Sequence, residues 1–372
     1  MKLILSVLLL FGSISAGMAK DVPTNVAELI DNNAETCYTG VKGKNKLVFD
    51  VKFDAPMLSY KVFSADDDSK HDPVEWVLKG SNDGKKWKTV DERKGQIFCA
   101  RYQEALCVVE NPAAYKKYML EITAANKEIL KVADVQFFDK NLMKGWEDFK
   151  YPTINFIDKA EGTEGSKLYK TLVQNPDEYI KFHARKVAEI LYYTADDQMV
   201  DVQNIRYTLE DTDGISAKGG NSPRINIFYS TRHIENSAHE SMYKLDFETR
   251  GVLYHELVHG YQFEPKGVGN YGNNKIFWSC IEGLADGVRA ESGHFDMKTR
   301  RPGGNWMDGY RTTGFFIQWL KTKDPDAIRK FHLSVRDLEV WGWDEAMKYM
   351  FGSEATIEGL WNEYQDFLKA GN

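Results

Sequence analysis

Two spacings of hydrophobic residues divide the chain. From about residue 21 to 139, apolar and polar positions alternate in short runs bounded by turn residues. These runs are "NKLVFDVKF" at 45–53, "MLSYKVFSA" at 57–65, "VEWVLKGSNDGKKWKTV" at 74–90, "YKKYMLEITA" at 115–124 and "VADVQFFD" at 132–139. A period of two predicts strands, Asp83-Gly84 supplies a tight turn, and the set predicts two antiparallel sheets packed as a β-sandwich. After about residue 140 the period moves toward 3.6. In "NPDEYIKFHARKVAEILYY" it puts Ile180, Ala184, Val187 and Leu191 on one helical face, with Asn175 as N-cap and Pro176 at the first helical position. "SPRINIFYS" at 222–230 reads as a strand, and helical patterns follow at about 247–262, 275–292 and on to the C-terminus. The pattern therefore predicts a multidomain chain: an all-β sandwich over 20–139, then an α+β domain over 140–372.

Length agrees with two domains, since 372 residues exceed what one compact core usually holds. The opening "MKLILSVLLLFGSISAGMAK" places one lysine before an apolar run and ends in Gly17-Met18-Ala19, the pattern of a cleavable signal peptide over residues 1–19. The run is short for a membrane span and no later stretch approaches eighteen apolar residues, so the expectation is a secreted, periplasmic or cell-surface protein without a transmembrane anchor. Losing Lys2 with the signal takes the formal net charge from −7 to −8, which argues against nucleic acid as a partner. Export permits disulfides among Cys37, Cys99, Cys107 and Cys280. Cys99 and Cys107 could close a short loop, and an isolated buried thiol at Cys280 is an equal reading.

"YHELVHGYQ" at 254–262 carries the chemistry. His255 and His259, one helical turn apart, can present both imidazoles to one cation. Zn2+ suits such a nitrogen pair, and Glu256 stands beside the ion, placed to take a proton from an activated water. Leu253, Leu257 and Tyr261 form an apolar stripe that would bury this helix, and Asp246 is a candidate cap. A third histidine six residues after His259 is ruled out by Pro265, and Gln262 stands where a glycine would be needed. "WSCIEGLADGVRA" at 278–290 offers Glu282 and Asp286 on one face of a second helix. Glu282 would be the third metal ligand, and Asp286 would receive the outer ring N–H of a ligating histidine.

The pair "VLYHELVHGYQ" and "IEGLADGVR", with "GISAKGG", "RINIFYS", "NWMDGYRTTGFFIQWL" and "LWNEYQDFL" around it, resembles the basic secretory protein family of plant and bacterial zinc peptidases, of the gluzincin type, over about residues 150–370. That resemblance implies a zincin-like fold, one catalytic Zn2+ on His255, His259 and Glu282, and Glu256 as general base. For the oxyanion, Tyr310 in "DGYRTT" is the first candidate, with Tyr271 and His294 behind it. A strand within 214–230 would pair with the substrate backbone. His71, His183, His233, His239 and His332 have no ligand spacing.

"ELIDNNAETCYTG", "GSNDGKKW" and "KKYMLEITAANKEILKVADVQFFD" resemble the discoidin, or coagulation factor type C, domain, over about residues 25–139. The resemblance implies a galactose-binding-like jelly roll, with carbohydrate as its candidate ligand. Trp87 is expected in its core, and Tyr38, His71 and Tyr102 in loops where a sugar could meet them. The combined expectation is a secreted zinc endopeptidase directed to glycoproteins or glycans. The alternative is a glycan- or protein-binding protein whose peptidase-like domain is weak or inactive.

Overall fold

The computed structural model describes residues 26–50, 55–66 and 68–371. The proposed signal peptide at 1–19 lies outside them. The chain divides into two compact units, one ending at Lys144 and one beginning at Gly145, five residues beyond the boundary placed from periodicity.

The first unit is a β-sandwich. One sheet orders β2 (Lys44–Asp50), β7 (Lys117–Ala124), β4 (Pro73–Ser81) and β5 (Lys88–Arg93), all antiparallel neighbours. The facing sheet orders β6 (Glu104–Val108), β3 (Ser59–Phe63) and β9 (Val135–Phe138), and a small ribbon pairs β1 (Tyr38–Lys42) with β8 (Ile129–Val132). Strands β1, β6 and β8 carry too little alternation for sequence to have marked them.

Alternate residues such as Leu47, Phe49, Trp76, Leu78, Leu120 and Ile122 meet Tyr60, Val62 and Phe137 in one core. Trp76 Nε1–H donates to the Tyr60 hydroxyl (2.7 Å), which donates to buried Asp91, so polar atoms bridge the two sheets without being left unpaired. Trp87 is only half-buried; Trp76, aligned with Leu78 on β4, is the core anchor instead. Tyr38 and Tyr102 are buried at 2% and 3% exposure, which corrects their placement in open loops, and His71 is half-buried. None of the four cysteines is in a disulfide, so Cys99 and Cys107 close no loop; the Cys99 thiol donates to Gln103 Oε1 instead.

The second unit builds a four-stranded sheet in the order β10 (Thr153–Asp158), β11 (Asn204–Glu210), β13 (Arg224–Ser230), β12 (Ser216–Asn221). The first three run parallel and β12 is antiparallel at the edge. Helices α1 (Glu164–Leu172) and α2 (Pro176–Leu191) lie between β10 and β11, and α3 (Thr231–Ala238) follows β13. Then come α4 (Met242–Tyr261), α5 (Lys275–Glu291), α6 (Tyr310–Trp319), α7 (Ala327–Asp337), α8 (Trp343–Phe351) and α9 (Ile357–Lys369). Asn175 caps α2 by accepting the Glu178 N–H, with Pro176 next, and the stripe from Ile180 to Leu191 is fully buried.

Helix α4 is buried on nearly every side: Leu253, Leu257 and Tyr261 face the core, and so do Val252, Tyr254 and Val258. Such a helix runs through the middle of a domain rather than along its surface. Its cap is Ser241, which accepts the Lys244 N–H, and not Asp246. Asp246 sits inside the second turn, fully buried and paired with Arg250 one turn on. Among the described residues no helix is long and apolar enough to cross a membrane.

Candidate active site

Helix α4 and helix α5 pack together and place five side chains between them. His255 and His259, one turn apart, turn their Nε2 atoms to within 3.0 Å of each other. Glu282 reaches across from α5, with Oε2 at 3.2 Å from His255 Nε2 and Oε1 at 3.7 Å from His259 Nε2. Among the described residues this is the one group of three whose ligand atoms converge, all within 4.8 Å of one another. Asp286, one turn after Glu282, accepts the Nδ1–H of His255 at 2.7 Å. In the neutral imidazole that bond places the proton on Nδ1 and leaves the Nε2 lone pair facing Glu282.

The arrangement fits a cation. Glu282 Oε2 is buried and makes no hydrogen bond, although an imidazole nitrogen stands beside it. Burial works against a charge on His255, yet the Asp286 and Glu282 carboxylates overcome it and hold the imidazole well above the usual histidine range. Burial, then the charge on His255, drives His259 down. Carboxylates thus surround the two imidazoles and favour positive charge between them, as a site for a divalent ion would. Two imidazoles and a carboxylate are the donor set Zn2+ prefers.

Glu256 is 5% exposed and turns toward the edge strand β12. Burial raises its carboxyl above the usual range, opposed by the His255 charge, the Ser216 side chain and the backbone N–H of Lys218. All these groups line a cleft of about 1060 Å³, whose walls include β12, the loop bearing Tyr271 and the start of α6. No strand pairs with the outer edge of β12 among the described residues.

Tyr310 is the first residue of α6, half exposed in the cleft, with its ring stacked 6.1 Å from that of His255. Its backbone is left-handed at φ 40°, a conformation that costs energy for a residue with a Cβ. Gly309 before it also has positive φ, and a Cβ there would lie 2.4 Å from the Trp278 ring, so the turn that presents Tyr310 requires glycine. Tyr271 is closer to the centre than its rank in the sequence implied. Its hydroxyl donates to Glu282 Oε1 at 2.6 Å and interacts with Tyr310. A glycine- and asparagine-rich loop carries Tyr271, and no periodicity marks its approach to Glu282.

His294 does not join the site. It is buried, stacked on Tyr254 and bonded to Ser292, and it is not among the residues lining the cleft. His183 and His332 are buried, His233 is half-buried and His239 is exposed; none belongs to the cluster. Cys280 is a buried free thiol.

A profile described as "Peptidase of plants and bacteria", the BSP family, matches residues 151–364, which contain every residue of the cleft. An Arabidopsis thaliana peptide-N(4)-(N-acetyl-β-glucosaminyl)asparagine amidase is 35% identical over 57 residues, 15% of this chain and only 8% of that protein. Among solved structures, the family 32 carbohydrate-binding module of Streptococcus pneumoniae EndoD aligns at 7% identity and a TM-score of 0.28, covering 34% of this chain and 95% of that one. The F5/8 type C domain of a Bacteroides fragilis protein aligns at 15% identity and a TM-score of 0.29, covering 35% and 92%. The profile match spans more than half of the sequence, and the chain belongs to the BSP family of plant and bacterial peptidases.

Proposed function

We propose that the second unit is a zinc-dependent endopeptidase acting outside the cytoplasm, and that the sandwich is a carbohydrate-binding module that brings it to glycoproteins or glycans. One observation carries the reading: Nε2 of His255, Nε2 of His259 and the Glu282 carboxylate converge, backed by Asp286 and flanked by Glu256 in an open cleft. A zinc ion on those three groups would supply Lewis acidity, lowering the pKa of a water and polarising the scissile carbonyl.

The chain's own residues account for the rest. The free edge of β12 offers backbone N–H and C=O groups to an extended peptide, which would fix its direction along the cleft. Glu256, with a carboxyl raised by burial, takes the proton of the attacking water and returns it to the leaving amine. Tyr310 and Tyr271, both half exposed in the cleft, are the hydroxyl donors available to the developing oxyanion, and Tyr310 is our choice. Asp286 holds the His255 ring in its ligating tautomer.

Two substitutions test the assignment of base and ligand. Glu256→Ala should keep fold and bound zinc while cleavage of a denatured protein substrate is lost. Glu282→Ala should lose the zinc. A wild-type protein that carries no zinc and ignores chelators would overturn the proposal. For the sandwich, a glycan array probed with the full chain is the test, and silence there would reduce the module to a spacer.

A further inference from the structure

We propose that Gln262 is the positioning residue of the second histidine, its side-chain carbonyl accepting the Nδ1–H of His259. Gln262 ends α4: its backbone N–H donates to Val258 O at 2.7 Å, which fixes the main chain at this point. From there the side chain folds back and sets its amide nitrogen Nε2 at 2.7 Å from His259 Nδ1. The residue is 6% exposed, and Oε1 is buried without a hydrogen-bond partner.

The oxygen and nitrogen of an amide have the same shape, so the network decides which one faces the ring. With the amide NH2 toward Nδ1, His259 must carry its proton on Nε2. That proton would point at His255 Nε2, 3.0 Å away, and His259 could not ligate. With Oε1 toward Nδ1, the proton sits on Nδ1 and the Nε2 lone pair faces Glu282. Asp286 does the same for His255 with a full negative charge. The two histidines are therefore held by unlike partners, one anionic and one neutral, and each outer partner fixes a ligating tautomer.

The inference rests on the metal reading above, and the experiment separates the two. Zinc affinity of the full chain is measured by competition with a chromophoric chelator for wild type, Gln262→Leu and Gln262→Glu. Leucine fills similar space without an acceptor; glutamate keeps an oxygen. The leucine variant should bind zinc roughly 10–100-fold more weakly than wild type, and the glutamate variant should restore affinity to within a few fold. A leucine variant that binds as tightly as wild type overturns the role of Gln262 while leaving the metal site standing. A wild type that takes up no zinc overturns the site itself and this role with it. Should the leucine variant fail to fold, 15N-imidazole NMR of the metal-free wild type decides: a proton on His259 Nδ1 supports the role, and one on Nε2 refutes it.

Discussion

Helices α5 and α6 approach closely, and Gly314 on α6 is where the approach can be tested. A Cβ added there would stand 2.7 Å from the Asp286 carbonyl carbon, the Asp286 Cβ and the Gly287 nitrogen. Ordinary contact begins at about 3.4 Å, and two of the three atoms are backbone, so no rotamer change relieves the clash. In Gly314→Ala the helices must separate, or the Asp286 segment must shift, by about 0.7 Å. Overpacking of this kind costs about 1–3 kcal/mol. For a unit of this size each kcal/mol lowers Tm by roughly 2–4 °C.

The same displacement acts on the site. The Asp286 to His255 hydrogen bond is 2.7 Å long, and lengthening it by that amount takes it out of good hydrogen-bonding range. Zinc affinity should then fall by about tenfold or more. Scanning calorimetry of the metal-free protein and chelator competition of the loaded protein read the two effects. Gly219→Ala on β12 is the control: nothing lies within 4 Å of its added Cβ, and its Tm should stay within about 1–2 °C of wild type. A Gly314→Ala protein that melts and binds zinc like the Gly219→Ala control would refute the reasoning.

Three further outcomes follow from the geometry. Asp286→Asn should fold and melt normally yet bind zinc about 10–100-fold more weakly, measured by chelator competition. Tyr310→Phe keeps the ring stacked on His255 but removes the hydroxyl, so kcat on a peptide substrate should fall about 10²–10³-fold with KM little changed; the same loss in Tyr271→Phe instead would move the oxyanion role to Tyr271. Burial drives His332 down to about 4, with Leu191 O accepting from Nδ1 and the Phe263 N–H donating to Nε2, so it folds in neutral. Because this folded pKa lies below the unfolded value near 6.5, its stabilisation is complete above pH 6.5 and is lost as pH falls through about 4. The loss amounts to about 3 kcal/mol, and urea unfolding from pH 7 to pH 4 should show a shallower decline in His332→Gln than in wild type.

How much of this was legible in the sequence depended on whether the signal was local. His255, Glu256 and His259 lie within one turn and a half of helix, and Glu282 and Asp286 are themselves one turn apart, so spacing alone put each set on a common face. Asn175 before Pro176 was readable as a cap for the same reason. The cap of α4 was not: Asp246 resembles a cap by residue type, but the helix begins a turn earlier at Ser241, and the aspartate is buried with Arg250. Trp76 anchors the core in place of Trp87 because Trp87 lies in the turn before β5, while Trp76 shares the inward face of β4 with Leu78. The contact of Tyr271 with Glu282 and that of Gln262 with His259 escaped because they arise from a loop and from the chain reversal after α4, where no period operates. Gln262 drew notice only as a residue standing where a glycine would be needed, and its bond to His259 is a property of the fold.

The proposed reaction is cleavage of peptide bonds in this cleft with Glu256 as base and a zinc ion on His255, His259 and Glu282. Its most direct test is to incubate a mixed proteome with the purified full chain and map new peptide termini by mass spectrometry, for wild type and Glu256→Gln, with and without chelator. Wild type alone should produce a set of new termini that vanishes with chelator and returns with added zinc. Termini that persist in Glu256→Gln or under chelation, or no new termini from any form, would contradict it.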